Sequence, residues 1–450
     1  MSRISAREQA LDLLIAVMKK GSYSPIALND ALSNGDLSER DSALVTTLVY
    51  GVLQRKMTLD FVLNRLYSGK RELDDWVRIL LWLSIYQKMY LNRIPDHALV
   101  NEAVTIAKKR GHQGISGLVN GLLRHLLREG LPDFSAIDPE MKRLSVTSSH
   151  PEWLLQLWTE QWDQQTAARI AEADNQPPLT FIRANRTRVT PEKLIARLAE
   201  EEIYADKSTL SRDGLQVESG HPAQSRAFAE GLMTIQDQSS MLVADAVCPD
   251  ETMRVLDACA GPGGKTTHLA ERMGNKGQLI ALDLHPHKTK LIDDTAQRLG
   301  LTNIETRPLD ARKAVEAFGE ASFDRLLLDV PCSGLGVIRR KPEIRWEKSP
   351  EDLEGLLRVQ AQILERTAPL VRAGGWLVYS TCTLNREEND QQILAFLAGH
   401  PEFDWEPGFH ERMPEKGFEH ASFSRQESML QIMPFTFESD GFFIACLKRK

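Results

Sequence analysis

Two cysteines stand in settings unlike an ordinary core position. Cys332 lies in Asp329-Val330-Pro331-Cys332-Ser333-Gly334 and Cys382 in Tyr379-Ser380-Thr381-Cys382-Thr383. Both follow a glycine-rich run, Asp257-Ala258-Cys259-Ala260-Gly261-Pro262-Gly263-Gly264-Lys265-Thr266. A thiolate can add to an electron-poor ring carbon, and a glycine-rich turn after a strand can hold an adenosine cofactor beside it. Together they point to covalent chemistry on a nucleobase.

The glycine-rich run invites a phosphate-loop reading, since Gly264-Lys265-Thr266 matches the end of G-x-x-x-x-G-K-[ST]. Five residues before Gly264 stands Cys259 where that loop needs glycine, which counts against an ATPase. The dinucleotide pattern G-x-G-x-x-G is absent as well. S-adenosylmethionine, a nucleoside cofactor without pyrophosphate, fits the remaining space. Glycines let the backbone approach its amino-acid portion, and Asp283, closing the second strand of the domain, can take both ribose hydroxyls. Asp310 ends the next strand-like segment. It is either an acceptor for the adenine amine or simply a helix N-cap.

With a methyl donor, two thiols gain a specific use. C5 of a pyrimidine is barely nucleophilic, so a thiolate first adds at C6 and turns the ring into an enamine that can attack the methyl sulfonium. Release then requires loss of the C5 proton and expulsion of the thiolate. Thiols are mostly protonated at neutral pH, with a reference pKa of about 8.5, so the nucleophile needs a polar or cationic setting. The isolated Cys248 and Cys446 read as inert core residues, and Cys259 as packing beneath the cofactor loop.

These groups need a scaffold that brings strand ends together. From about residue 233 the pattern alternates strand and helix: Arg254–Asp257, Leu279–Asp283, Ile304–Leu309, Arg325–Asp329, Trp376–Ser380 and Phe442–Leu447. This implies a parallel sheet covered on both faces, with ligands at the carboxyl ends of its strands. Residues 1–145 show helical spacing instead, as in Leu11, Leu14, Ile15 and Met18, or Leu118, Leu122, Leu123 and Leu126. Gly51, Gly69, Gly111 and Gly130, with Pro25, Pro95 and Pro132, read as breaks between helices. Between them, residues 146–232 form a small α/β linker domain. It holds a helix with core tryptophans, a strand over Leu179–Asn185, a helix capped by Thr190-Pro191 and a strand over Gly214–Val217.

The 450 residues carry a formal net charge of -7, which argues against a simple basic nucleic-acid binder. Charge is uneven, however: residues 1–145 hold 20 Lys and Arg against 16 Asp and Glu. The five cysteines lack zinc spacing or a Cys-x-x-Cys pair, so no metal is expected, and reduced thiols in a cytoplasm fit best. The start of the chain is charged rather than signal-like, and the most apolar stretch, Trp76–Leu91, is interrupted by Arg78, Gln87 and Lys88, so no membrane association is expected.

The whole chain resembles the cytosine-5 RNA methyltransferases of the RsmB/NOP family, within them the bacterial small-subunit ribosomal RNA (Sun/Fmu) group. Three motifs carry the resemblance: the run Asp257–Thr266, then Asp329-Val330-Pro331-Cys332-Ser333-Gly334-Leu335-Gly336, and Ser380-Thr381-Cys382-Thr383-Leu384. Leu99–Val104 and Leu118–Arg124 resemble the NusB-like RNA-binding domain. The resemblance implies a multidomain fold: an all-α NusB-like bundle, the small α/β linker, and an α/β Rossmann-like catalytic domain over 233–450 using S-adenosylmethionine. It implies that Cys382 attacks C6, that Cys332 assists release, and that Asp329 holds the cytosine and borders the cofactor. The cofactor loop carries over onto Cys259, Ala260, Gly261, Pro262, Gly263, Gly264 and Lys265, with Asp283 and Asp310 as further contacts. Gly261 and Val330 stand where many members have Ala. The expected substrate is an unpaired or flipped cytosine of 16S ribosomal RNA, met by a monomer. A transfer-RNA target, and an assembly factor with a vestigial catalytic domain, are the alternatives. After the Pro-Cys motif, Arg339-Arg340-Lys341-Pro342-Glu343-Ile344-Arg345-Trp346 reads as a basic loop whose Trp346 could stack on a base.

Overall fold

Helix-forming periodicity dominates the first part of the chain, and its apolar stripes find one another. A computed structural model describes residues 5–20, 38–69, 71–415 and 428–450; Pro25, read above as a break, lies outside them. Helices Ala6–Lys20, Glu39–Leu66, Asp75–Tyr90, Asp96–Arg110 and Gln113–Glu129 converge on one core. Leu11, Leu14, Leu48, Val52, Leu80, Leu83, Leu123 and Leu126 are buried in it. Gly111 and Gly130 do follow helices, and Pro95 precedes one. Gly51 does not break anything: it lies inside Glu39–Leu66, where a Cβ would sit 2.0 Å from the Tyr86 ring. There the missing side chain admits an aromatic neighbour rather than ending the helix.

Three further helices, Glu140–Ser148, Glu152–Gln161 and Gln164–Ala173, belong to the same compact unit, which spans residues 1–175 and reclaims Ile338–Glu347. Trp158 is fully buried, as a core tryptophan should be. None of the described helices is long and apolar enough to cross a membrane.

The second unit, residues 176–337 and 348–450, contains two sheets. The smaller is antiparallel, in the order β2 (Tyr204–Lys207), β3 (Gly214–Ser219), β1 (Thr180–Ala184), β4 (Met233–Ile235), with the Thr190-capped helix Pro191–Ala199. Strands β2 and β4 are too short to show a period.

The larger sheet comprises β5 (Arg254–Asp257), β6 (Gln278–Asp283), β7 (Ile304–Pro308), β8 (Phe323–Asp329), β9 (Val371–Thr381), β10 (Phe403–Trp405), β11 (Met429–Ile432) and β12 (Phe442–Arg449). Strands β9-β8-β5-β6-β7 are parallel neighbours, whereas β12 lies antiparallel beside β9 and pairs on its other edge with β10 and β11. The expectation of an all-parallel sheet fails at this edge. After β9 the helix Asp390–Gly399 leads to β10, which does not pair with β9, and β12 enters between them from the opposite end, antiparallel to both. Alternate residues enter separate cores: Leu256, Leu326, Leu328 and Tyr379 on one face, Val255, Leu279, Leu327 and Val378 on the other. Burial on both faces is why these strands read as continuous apolar runs.

Candidate active site

The carboxyl ends of β5, β6, β8 and β9 open onto one cavity of about 390 Å³. Its lining includes Cys259, Gly261, Asp283, Asp310, Asp329, Cys332 and Cys382. Parallel strands with crossover helices leave such a crevice at their carboxyl ends. Ala260, Pro262, Gly263, Gly264 and Lys265 do not line it; they build the turn behind.

That turn is held mainly through its backbone. Ala258 N–H donates to the Leu327 carbonyl at 3.0 Å, Ala260 N–H to Leu282 at 2.8 Å, and Gly263 N–H to Ala260 at 2.7 Å. Gly263 has φ +105° and is the N-cap of helix Gly264–Arg272. A side chain there would be strained and within 3.0 Å of Ile292. At Gly261 a Cβ would approach the Asp283 carboxylate to 2.4 Å.

Asp283 accepts from Gly261 N–H at 3.1 Å and His285 N–H at 2.9 Å, leaving lone pairs toward the cavity. Asp310 lines the cavity and also caps the short turn Ala311–Lys313, accepting from Arg312 N–H. Both alternatives weighed for it are therefore compatible. The Arg312 side chain, bonded to it at 2.7 Å, holds its carboxyl below the usual range. A bare turn, two carboxylates at strand ends and a cavity of this volume fit a nucleoside with an amino-acid tail.

The two thiols lie together, Cys332 Sγ 3.3 Å from Cys382 Sγ. The hydrogen bond with Cys382, then burial, then the charges of Cys382, Glu388 and Asp329 push the Cys332 thiol well above its ordinary value. Beside them Asp329 accepts from Ser380 Oγ at 2.8 Å and from Lys265 Nζ at 2.7 Å. Burial opposes the Lys265 charge, but Asp329 and Cys382 outweigh it and hold the ammonium above its usual value. Lys265, read from sequence as part of the cofactor loop, thus faces the reacting side. Nothing in the spacing of the loop could have indicated that.

Cys259 borders the cavity, but burial and the carboxylates of Asp257, Asp329, Asp283 and Asp310 push its thiol well up, so it does not compete as a nucleophile. Cys446 is buried and pushed up to about 12 by burial, as an inert core residue should be. Cys248 is exposed instead: it ends helix Gln238–Val247 in a left-handed conformation with φ 45°. Among the described residues there is no cluster able to hold a metal.

The back of the cofactor helix is gripped by the smaller sheet and its loops. Buried Arg183 from β1 donates to the Gly264 carbonyl at 2.7 Å, Thr267 Oγ1 at 3.1 Å and Glu271 at 2.8 Å. Asp213 meets His268 Nε2 at 3.0 Å.

In the basic segment after the Pro-Cys motif, the Trp346 ring already has the Lys56 ammonium over it, 5.1 Å from its centroid. Arg345 is fully buried and donates to the carbonyls of Ser149 at 3.0 Å and Gln54 at 3.2 Å, and the Trp346 indole donates to Leu53 at 2.8 Å. These contacts place Ile338–Glu347 in the helical unit. Arg345 spends its charge on buried carbonyls, which composition alone could not distinguish from phosphate binding.

The chain matches the NusB family over residues 4–128, the ferredoxin-like domain of RsmF/B-like methyltransferases over 150–224, and 16S rRNA methyltransferase RsmB/F over 244–448. It is 45% identical over 450 residues to the "Probable ribosomal RNA small subunit methyltransferase B" of Bacillus subtilis (strain 168), covering 100% of both chains. With "Ribosomal RNA small subunit methyltransferase B" of Klebsiella pneumoniae (strain 342) the identity is 33% over 460 residues, covering 100% of this chain and 99% of the relative. The crystal structure of the protein PH0851 is similar with TM-score 0.83 and 26% identity, covering 99% of this chain and 98% of that one.

Proposed function

The chain belongs to the RsmB/F family of 16S rRNA methyltransferases, and from that premise we propose that it methylates C5 of a cytosine in small-subunit ribosomal RNA through a covalent adduct on Cys382. The observation that carries this reading is the pair of thiols 3.3 Å apart, beside Asp329, in the same cavity as Asp283 and Asp310.

S-adenosylmethionine, when bound, supplies an electrophilic methyl group. The residues fit it: the Cys259–Gly264 turn would hold its amino-acid portion, Asp283 its ribose and Asp310 its adenine. Cys382 adds as thiolate to C6, and the electron pair of the C5–C6 bond becomes available at C5 to form the new carbon–carbon bond. Cys332, kept protonated by its surroundings, stands next to the attacking sulfur to assist release. Loss of the C5 proton to water re-forms the C5–C6 double bond and expels the Cys382 thiolate. In net terms one C5 hydrogen leaves as a proton and one methyl replaces it. Asp329 accepts from the exocyclic amine, and Lys265 balances its charge while favouring a thiolate nearby. A cytosine inside a helix cannot reach Cys382, so the target is unpaired or flipped out.

Bisulfite sequencing of 16S ribosomal RNA and transfer RNA, from cells with and without the gene, tests the proposal. One cytosine in 16S rRNA should lose protection when the gene is absent. A change confined to transfer RNA would move the substrate, and an unchanged map in both would sink the C5 assignment.

A further inference from the structure

We infer that Glu388 is a positioning residue for the two-cysteine chemistry: its buried carboxylate, shared by both cysteine-bearing loops, fixes the separation and orientation of the two thiols. The inference deepens the proposed cytosine-5 reading and rests on it.

Glu388 is fully buried. Its carboxylate accepts from Ser333 N–H at 2.8 Å and Ser333 Oγ at 2.6 Å, the residue following Cys332. It also accepts from Asn385 Nδ2 at 3.2 Å, three residues past Cys382. Gln360 Nε2 donates both to Glu388 at 2.9 Å and to the carbonyl of Pro331 at 3.0 Å, so Cys332 is gripped on each side. Ser333 Oγ and Thr383 Oγ1, 2.7 Å apart, join the two loops directly. The adjacent Asn389 completes the hold on Cys382, accepting from Thr381 Oγ1 at 2.5 Å and donating to the Thr383 carbonyl at 3.0 Å.

Among the described residues Glu388 forms no ion pair, and neither it nor its donors lines the cavity. A buried carboxylate without a cation is costly compared with an apolar side chain of similar volume. Here five donor groups from three segments converge on it, the fifth being Thr383 Oγ1 at 3.4 Å, and two of those segments carry the thiols. Geometry of this kind matters because a displacement of about 1 Å at a reacting atom can cost on the order of 10²-fold in rate. The same carboxylate, with Cys382 and Asp329, also opposes ionisation of Cys332, while Lys265 is the cation on the Asp329 and Cys382 side.

The test uses the full-length protein with a 16S rRNA transcript, comparing Glu388→Gln with Glu388→Asp. Gln presents an amide donor to a ring of donors, whereas Asp keeps the charge on a shorter arm. Single-turnover methyl transfer and gel-resolved adduct formation should fall about 30- to 100-fold in Glu388→Gln. S-adenosylmethionine affinity should stay within about twofold, and Glu388→Asp should recover part of the rate. In a Cys382→Ala background, the pH profile of Cys332 alkylation should move to lower pH in Glu388→Gln and not in Glu388→Asp, a change that loss of packing alone would not produce. Transfer within about threefold of wild type overturns the inference, as does a parallel loss of transfer and cofactor binding with an unmoved alkylation profile. Should Glu388→Gln fail to fold, Ser333→Ala removes a single donor; it should slow transfer about fivefold, and an unchanged rate overturns the inference. A wild-type enzyme that methylates rRNA without any cysteine adduct would instead overturn the reading beneath it.

Discussion

The two sides of the cavity are built by different means. On the cofactor side the turn after β5 is held by backbone hydrogen bonds, and at Gly263 a positive φ and the closeness of Ile292 call for glycine. On the reacting side, the loops after β8 and β9 are held by side chains that converge on Glu388 from 55 and 28 residues away in sequence. A substitution on the first side acts through space and backbone angle. On the second it acts through charge and hydrogen-bond polarity.

The largest expected effect lies on the reacting side. Cys382→Ala should reduce methyl transfer on the order of 10³-fold or more, while S-adenosylmethionine binding measured by calorimetry stays within about twofold. Cys332→Ala should instead let the protein–RNA adduct accumulate on denaturing gels with labelled RNA. An adduct that needs Cys332 and survives loss of Cys382 would reverse the two roles. A smaller effect is expected across the cavity. Gly263→Ala forces φ +105° on a residue with a side chain, costing about 1–3 kcal/mol of stability unless the turn relaxes, and a relaxed turn should bind the cofactor more weakly. Adduct formation without cofactor should persist in that variant. If Gly263→Ala blocked the adduct as well, the two sides would not be separable as drawn.

The same contrast explains what could be read from sequence. Gly261, Gly263 and Asp283 were legible because turn sterics and a strand-end carboxylate leave local patterns. The helical bundle and five parallel strands were legible from apolar period. Glu388 was not, since in Glu387-Glu388-Asn389-Asp390 it looks like any acidic stretch, and its donors come from three distant segments. Lys265 was found as part of the glycine loop, but its ion pair with Asp329 was not, because that partner lies 64 residues away in sequence. Arg345 misled for a related reason: a guanidinium in a basic run serves buried carbonyls as readily as phosphates. Antiparallel β12 was visible as a strand, but its direction depends on connections that carry no periodic signal.

The effect expected to be smallest at neutral pH concerns stability rather than turnover, and it lies behind the cofactor helix. Burial, and then the charge of Arg183, lower His268 to about 4 although Asp213 opposes them, so at neutral pH the folded imidazole is uncharged. As pH falls below the ordinary value of 6.5, the unfolded chain takes up this proton before the folded one does. Stability associated with His268 is therefore fully present above pH 6.5 and is lost progressively as pH falls toward 4, by roughly 3 kcal/mol in total. His268→Gln keeps a neutral donor for Asp213 without a titrating ring. Urea midpoints for the two proteins should run parallel above pH 7 and diverge below it, with the wild type declining more steeply. Parallel curves down to pH 4 would mean that His268 is not the acid-sensitive point, and that the polar grip on the cofactor helix is no more pH-sensitive than the clamp around the thiols.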